Sequence, residues 1–169
     1  MSHPPRRNNA HPFPSCCSLE EGGRKMTEAS SLIDTTKLED LIQRVKEGEK
    51  RDPKLESHIA AALQYIPDAL AKYSNVRPHP TSTITMLYDA PGKEGTPVFI
   101  PMLTSSLDAV EKLRAWGVPT WKIDGLQAKN GEYIVRATCD SGSHVQAVGR
   151  TEVRARLAAI LEAFQRATH

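Results

Sequence analysis

One dipeptide, Asn130-Gly131, restricts the folds open to this chain more than any other feature. Before it, Trp121 and Ile123 alternate with Lys122 and Asp124. After it, Tyr133, Val135, Ala137 and Cys139 alternate with Ile134, Arg136 and Thr138. Such period-two patterns mark strands with one buried face. Asn-Gly between two of them supplies the consecutive positive-φ residues that a two-residue hairpin demands. Asp140-Ser141-Gly142 turns the chain again into a third run, His144 to Val148, which Gly149 ends. The pattern predicts an antiparallel meander of three strands, and a sheet that small needs a cover for its apolar face.

Helical patterns stand on both sides to provide one. Ser105 or Ser106 caps a predicted helix in which Leu107, Val110, Leu113 and Trp116 share a face; Gly117 ends it before Pro119. Glu111 and Arg114 stand three apart on its wet side. After the meander, Thr151 caps a last helix with Val153, Leu157, Ile160, Leu161 and Phe164 inward. Glu152–Arg156 and Glu162–Arg166 are its expected solvent-facing pairs. The order is α-β-β-β-α. Upstream, residues 36–48 carry a stripe of Leu38, Leu41, Ile42 and Val45, with Thr36 and Glu39 spaced as a capping box. Asp52-Pro53 restarts a helix, with Leu55, Ile59, Ala62, Leu63 and Ile66 on one side. The short connection predicts an antiparallel helical hairpin.

Between these halves lies a stretch, residues 67–101, that Pro78, Pro80, Pro91, Pro97 and Pro101 interrupt. It reads as a long proline-rich loop in which only Thr83 to Tyr88 forms a short strand, either a surface excursion or a binding element. Val76 to Thr83 reads as a mobile surface linker, with a polyproline-type peptide ligand as the second possibility. The expected fold class is therefore α+β, a helical hairpin followed by α-β-β-β-α with a small antiparallel sheet covered by helices.

The first residues have a different character. Residues 1–25 contain four prolines, the adjacent Cys16 and Cys17, and no helical or strand period. Glu20-Glu21-Gly22-Gly23 permits codons that match a bacterial ribosome-binding site, at a suitable distance before Met26. The reading is that translation starts at Met26, that residues 1–34 form a leader without order, and that residues 35–169 form a single domain. Residues 1–25 hold four of the chain's 22 basic residues and two of its 20 acidic ones, so 18 of each remain and the +2 net charge belongs to the leader. A neutral body of this length, with 39% hydrophobic residues in the whole chain, can bury a core without a metal or disulfide scaffold. No apolar run approaches the ~18 residues of a membrane span, so no membrane association is expected. No apolar segment of signal-peptide type follows Arg6 and Arg7, and the three cysteines have no metal-binding spacing. A reducing bacterial cytoplasm is the expected compartment.

The stretch Thr104-Ser105-Ser106-Leu107-Asp108-Ala109, followed by a helix, Trp116, Trp121 and a hairpin, resembles the small phage and prophage proteins with an ABA sandwich domain. So does the closing strand that runs into the Ala-, Leu- and Arg-rich helix from Thr151 to Ala167, and so do the two N-terminal helices. The resemblance covers most of residues 36–168. The chain departs from the pattern at Val110, where a second alanine is usual, and at Thr151-Glu152-Val153, where a Thr-Pro start is common. The resemblance implies a bacterial or phage setting and carries no catalytic residues to transfer.

Three candidate sites remain. Cys139, Asp140 and His144 stand around one turn and invite a thiol-hydrolase reading. Cys139 shares its strand face with Tyr133, Val135 and Ala137, however, and packing as a small hydrophobe is the plainer role. Arg150, Arg154 and Arg156, at the start of the last helix, are the candidate nucleic-acid contacts, since a double-stranded-RNA-binding domain shares the α-β-β-β-α order. Glu152 among them, and nine basic against seven acidic residues from Ser105 onward, weaken that field. Trp116 and Trp121 are expected in the core. His58, His79, His144 and His169 have no metal-ligand spacing, and no phosphate-cradling loop is present, so no cofactor is expected. The expected function is a non-enzymatic prophage-type accessory protein that acts by binding a host or phage macromolecule, a protein partner being expected first and nucleic acid second. A nucleic-acid-binding module is the alternative.

Overall fold

The computed structural model describes residues 35–67 and 73–168. The leader, the Met26 start and His169 lie outside the described residues. In chain order the elements are α1 (Thr35–Glu47), α2 (Pro53–Leu63), β1 (Ser74–Pro78), β2 (Thr85–Ala90), β3 (Lys93–Phe99), α3 (Leu107–Gly117), β4 (Trp121–Lys129), β5 (Glu132–Cys139), β6 (His144–Gly149) and α4 (Glu152–Ala167). The fold is α+β, with four helices and two antiparallel three-stranded sheets among the described residues.

The meander follows the sequence pattern. Asn130 and Gly131 take φ of 53° and 78°, and the strands they join pair from Lys129↔Glu132 to Trp121↔Cys139. Positive φ at both central residues matches the right-handed twist of the flanking strands. A bulge between Ile123 and Gly125 shifts the register once. β6 pairs along β5 from Tyr133↔Gly149 to Thr138↔His144. Trp121, Val135, Ala137, Cys139, Val145 and Ala147 form the buried face. α4 lies across it, and α1 and α3 pack on α4. α4 is buried along most of its length because Ala155, Ala158, Ala159 and Ala163 let neighbours approach closely.

The helix caps are partly as expected. Asp52 Oδ1 accepts from the Leu55 N–H at 2.9 Å, Ser106 Oγ from Ala109 and Thr151 Oγ1 from Arg154. The capping box at Thr36 and Glu39 is not formed, because the helix already includes Thr35. On α3, Val110 and Leu113 are buried, whereas Leu107 and Trp116 remain 44% and 39% exposed. Glu152–Arg156 and Glu111–Arg114 pair as predicted, but Glu162 binds Lys46 of α1 at 2.7 Å rather than Arg166.

The expected proline-rich loop is instead the second sheet, ordered β1-β2-β3. The prolines are compatible with it because β1 and β3 are its edges, where a residue without an N–H removes no ladder bond that the sheet needs. Pro78 ends β1 and Pro97 lies in β3, opposite Leu87. Pro91-Gly92, with Gly92 at φ 74°, turns β2 into β3. Ala60, Ile66, Val76, Met86 and Ile100 form the small core that ties this sheet to α2. Gln64, itself left-handed at φ 51°, completes the join: its side-chain amide accepts the Val76 N–H at 2.8 Å and donates to the Val76 carbonyl at 3.1 Å.

The helices meet around Arg154, whose side chain is buried. Its Nη1 donates to the Arg44 and Val45 carbonyls at 3.4 Å, and its Nη2 donates to the Lys50 carbonyl. A cation thus closes the C-terminal end of α1, where unpaired carbonyls and the helix dipole favour positive charge. Burial pulls the Arg154 pKa below its ordinary value, and Asp52 and Glu56 oppose that pull. Glu56 is itself fully buried, and its Oε1 accepts from the Thr104 N–H at 2.8 Å and from the Thr104 hydroxyl at 2.7 Å. Thr104 Oγ1 in turn accepts the Asp52 N–H at 3.0 Å.

Two expectations follow. Arg154→Ala leaves carbonyls of the α1–α2 turn unpaired and is expected to destabilise the fold by about 3 kcal/mol, read from urea denaturation midpoints. A methyl at Gly48 would collide with the Arg154 guanidinium, so Gly48→Ala is also destabilising. In the double variant the collision is gone, and the combined cost should fall short of the sum; additive costs would show that the two do not act on each other. In the second sheet, Asp89 accepts from the Gly95 N–H at 2.8 Å and from Asn75 and Arg77 at 2.9 Å, which lowers its pKa from 3.8 to about 2. A depressed folded-state pKa gives stability that is complete above the ordinary value and is lost as pH falls towards the folded one. The advantage of the native chain over Asp89→Asn should therefore shrink on acidification below about pH 4, in paired denaturation series.

Candidate functional site

The residues singled out by sequence fall into different environments. Cys139 turns inward, with its Sγ 3.6 Å from Thr120 Oγ1, and the Ser141 backbone N–H holds its pKa below the ordinary thiol value. His144 pairs with Thr138 in the ladder, so it takes the opposite, exposed face. Asp140 bonds Lys122 Nζ at 2.9 Å on the surface. Strand alternation thus separates the thiol from the imidazole, and the three do not meet as nucleophile, base and orienting acid.

The three arginines are also dispersed. Arg154 is sealed into the α1–α2 turn, which removes it as a phosphate contact. Arg150 is half exposed and lies 3.5 Å from Glu132; Arg156 Nη2 lies 2.7 Å from Glu152. On the open face of the meander, Arg136 bonds Asp124 at 3.0 Å and Lys122 bonds Asp140. These basic groups each have a carboxylate beside them, so no continuous positive stripe forms there. Trp121 is in the core as expected. Trp116 is not; its ring leans on Tyr65 at 5.0 Å and Phe164 at 6.1 Å between centroids and stays partly exposed. Among the described residues no three His, Cys, Asp or Glu side chains gather as a metal site.

Two surfaces were not found from sequence. The first is one end of the second sheet, where Phe99 is 74% exposed, Ile84 57% and Met102 46%. Phe99 ends β3 opposite Thr85, and the Ile100 N–H donates to the Ile84 carbonyl at 3.0 Å, so both chains are held as they leave the sheet. The second is a groove of about 810 Å³ between α1, α2 and β1. Leu41, Ala61, Ala62 and Pro78 give it apolar walls, and Arg44 and His58 line it from facing helices. Both surfaces involve the sheet hidden by its prolines, which is why periodicity did not reveal them.

No family model, curated protein or solved structure matches the chain. No helix among the described residues is long and apolar enough to cross a membrane.

The inward thiol gives a direct check on the first candidate. Iodoacetamide should label Cys139 at least about tenfold more slowly in the folded chain than in urea. Labelling at the unfolded rate would return Cys139 to consideration as a nucleophile.

Proposed function

We propose that this chain is a non-enzymatic accessory protein of phage or prophage type that acts in the bacterial cytoplasm by binding a host or phage protein. A regulatory or counter-defence role fits such an activity. The observation that carries the reading is the apolar end of the second sheet. Phe99, Ile84 and Met102 are large hydrophobic groups left in water at that end, and the main chain of Phe99 and Ile84 is fixed by sheet pairing. Aromatic and methionine side chains are enriched in protein interfaces, where large apolar groups left exposed on the free chain become covered. The ABA sandwich resemblance supplies the phage setting.

The alternative, a nucleic-acid module, is favoured by the α-β-β-β-α order alone. The buried Arg154 and the carboxylate partners of Arg150 and Arg156 argue against it.

Affinity capture from bacterial lysate, with and without nuclease, separates the readings. A protein partner should survive nuclease treatment and should be lost with Phe99→Ser/Ile84→Ser, whose substitutions lie on the surface and should leave the circular dichroism spectrum unchanged. Capture that disappears with nuclease, or that is indifferent to both substitutions, would overturn this reading.

A further inference from the structure

The groove between α1, α2 and β1 has a chemistry of its own. Arg44 stands on α1 and His58 on α2, both lining the same space, and neither makes a side-chain hydrogen bond or ion pair among the described residues. That is unusual for this molecule, in which Arg51, Arg77, Arg114, Arg136, Arg150 and Arg156 each meet a carboxylate. His58 is half-buried, and its pKa is lowered by burial first and then by Arg44 and Lys54, against a smaller opposing effect of Asp52. Lys37 adds a further positive group to the lining from α1, and Asp40 is the one acidic side chain there. The remaining walls are apolar, from Leu41, Ala61, Ala62 and Pro78.

The frame of the groove is fixed. Gln64 clamps β1 to the end of α2 through both sides of its amide, as described above, and Asn75 Nδ2 donates to Asp89 at 2.9 Å. The volume of about 810 Å³ lies in the range of small-molecule sites, which combine apolar walls with a few oriented polar groups.

We propose that this groove binds a small amphipathic carboxylate. Its carboxylate lies between Arg44 and His58, and its hydrocarbon part runs along Leu41, Ala61, Ala62 and Pro78. Two like charges that face one groove, neither bonded to a carboxylate, disfavour the imidazolium in the free protein. An arriving carboxylate offsets that repulsion and accepts charge-assisted hydrogen bonds from both groups. Binding therefore takes up a proton at His58, whose titration is set by burial, Arg44, Lys54 and Asp52; Lys37 and Asp40 of α1 face the same groove. The site does not use Phe99, Ile84 or Met102, none of which lines the groove.

The test is calorimetric titration of the full chain with decanoate, below its micelle concentration, with decanol and decyltrimethylammonium as neutral and cationic controls. Decanoate should bind saturably at one site and shift the amide resonances of Ala61 and Ala62, and both controls should bind at least about tenfold more weakly. Arg44→Gln should weaken decanoate by about tenfold, while Arg150→Gln leaves it unchanged. Decanoate affinity should rise from about pH 8 to about pH 6, and His58→Gln should flatten that dependence. Urea midpoints confirm that the variants remain folded, as expected for side chains without bonding partners. Equal binding of decanoate and decanol, binding without saturation, or unchanged affinity in a folded Arg44→Gln would each overturn the proposal.

Discussion

The guanidinium of Arg154 is the point on which the helical layer depends. α1 ends in carbonyls with no helical partner, and the chain must reverse within a few residues to start α2 at Asp52. Arg154 reaches in from α4, more than a hundred residues later, and donates to Arg44, Val45 and Lys50. One side chain thereby closes one helix, shapes the turn and sets the distance between α1 and α4. Gly48 must lack a side chain because the guanidinium occupies that space. Desolvating a cation is costly, and the cost is borne by hydrogen bonds together with the nearby Asp52 and Glu56 charges.

The same turn is linked to α3. Asp52 caps α2 with its carboxylate and offers its own N–H to Thr104, whose hydroxyl donates onward to the buried Glu56. Thr104 lies just ahead of the Ser106 cap, so this relay fixes where α3 begins. Glu56 has its outer oxygen on Arg51 at 3.2 Å. A polar relay with each member engaged can specify one arrangement of helices where apolar packing would tolerate several. Sequentially distant segments, α1–α2, the approach to α3 and the head of α4, are therefore positioned together before any surface feature is considered.

Sequence patterning revealed the parts of this design that repeat locally. The meander, the Asn130-Gly131 hairpin and the caps at Asp52, Ser106 and Thr151 each rest on residues within a few positions of one another. The second sheet is hidden from that patterning because prolines interrupt its strands, and β1 and β3 tolerate them only as edges. The role of Arg154 is hidden for a related reason. Its spacing from Arg150 suggested a shared surface, yet Arg154, Leu157, Ala158 and Leu161 stand at i, i+3, i+4 and i+7 along the buried side of α4. An arginine heading an apolar stripe is the signal that was available. Its acceptors, main-chain carbonyls far away in sequence, leave no signature in residue type. Strand alternation, by contrast, already placed Cys139 and His144 on opposite faces, and the thiol-hydrolase reading conflicted with the same pattern that defined the strands.

The molecule is unevenly secured, and its open surfaces follow from that. The larger core gathers α1, α2, α3, α4 and the meander, while the second sheet rests on Ala60, Ile66, Val76, Met86 and Ile100 and on the Gln64 clamp. A small core cannot cover every apolar group of a three-stranded sheet, so Phe99 and Ile84 remain outside it. The groove arises at the seam where this sheet meets the helical hairpin, because β1 is held at Val76 by an amide clamp rather than by close apolar packing along its whole length. The helices around Arg154 form the firmly held part of the fold; the exposed apolar end belongs to the sheet attached to it, and the groove is shared between α1, α2 and β1.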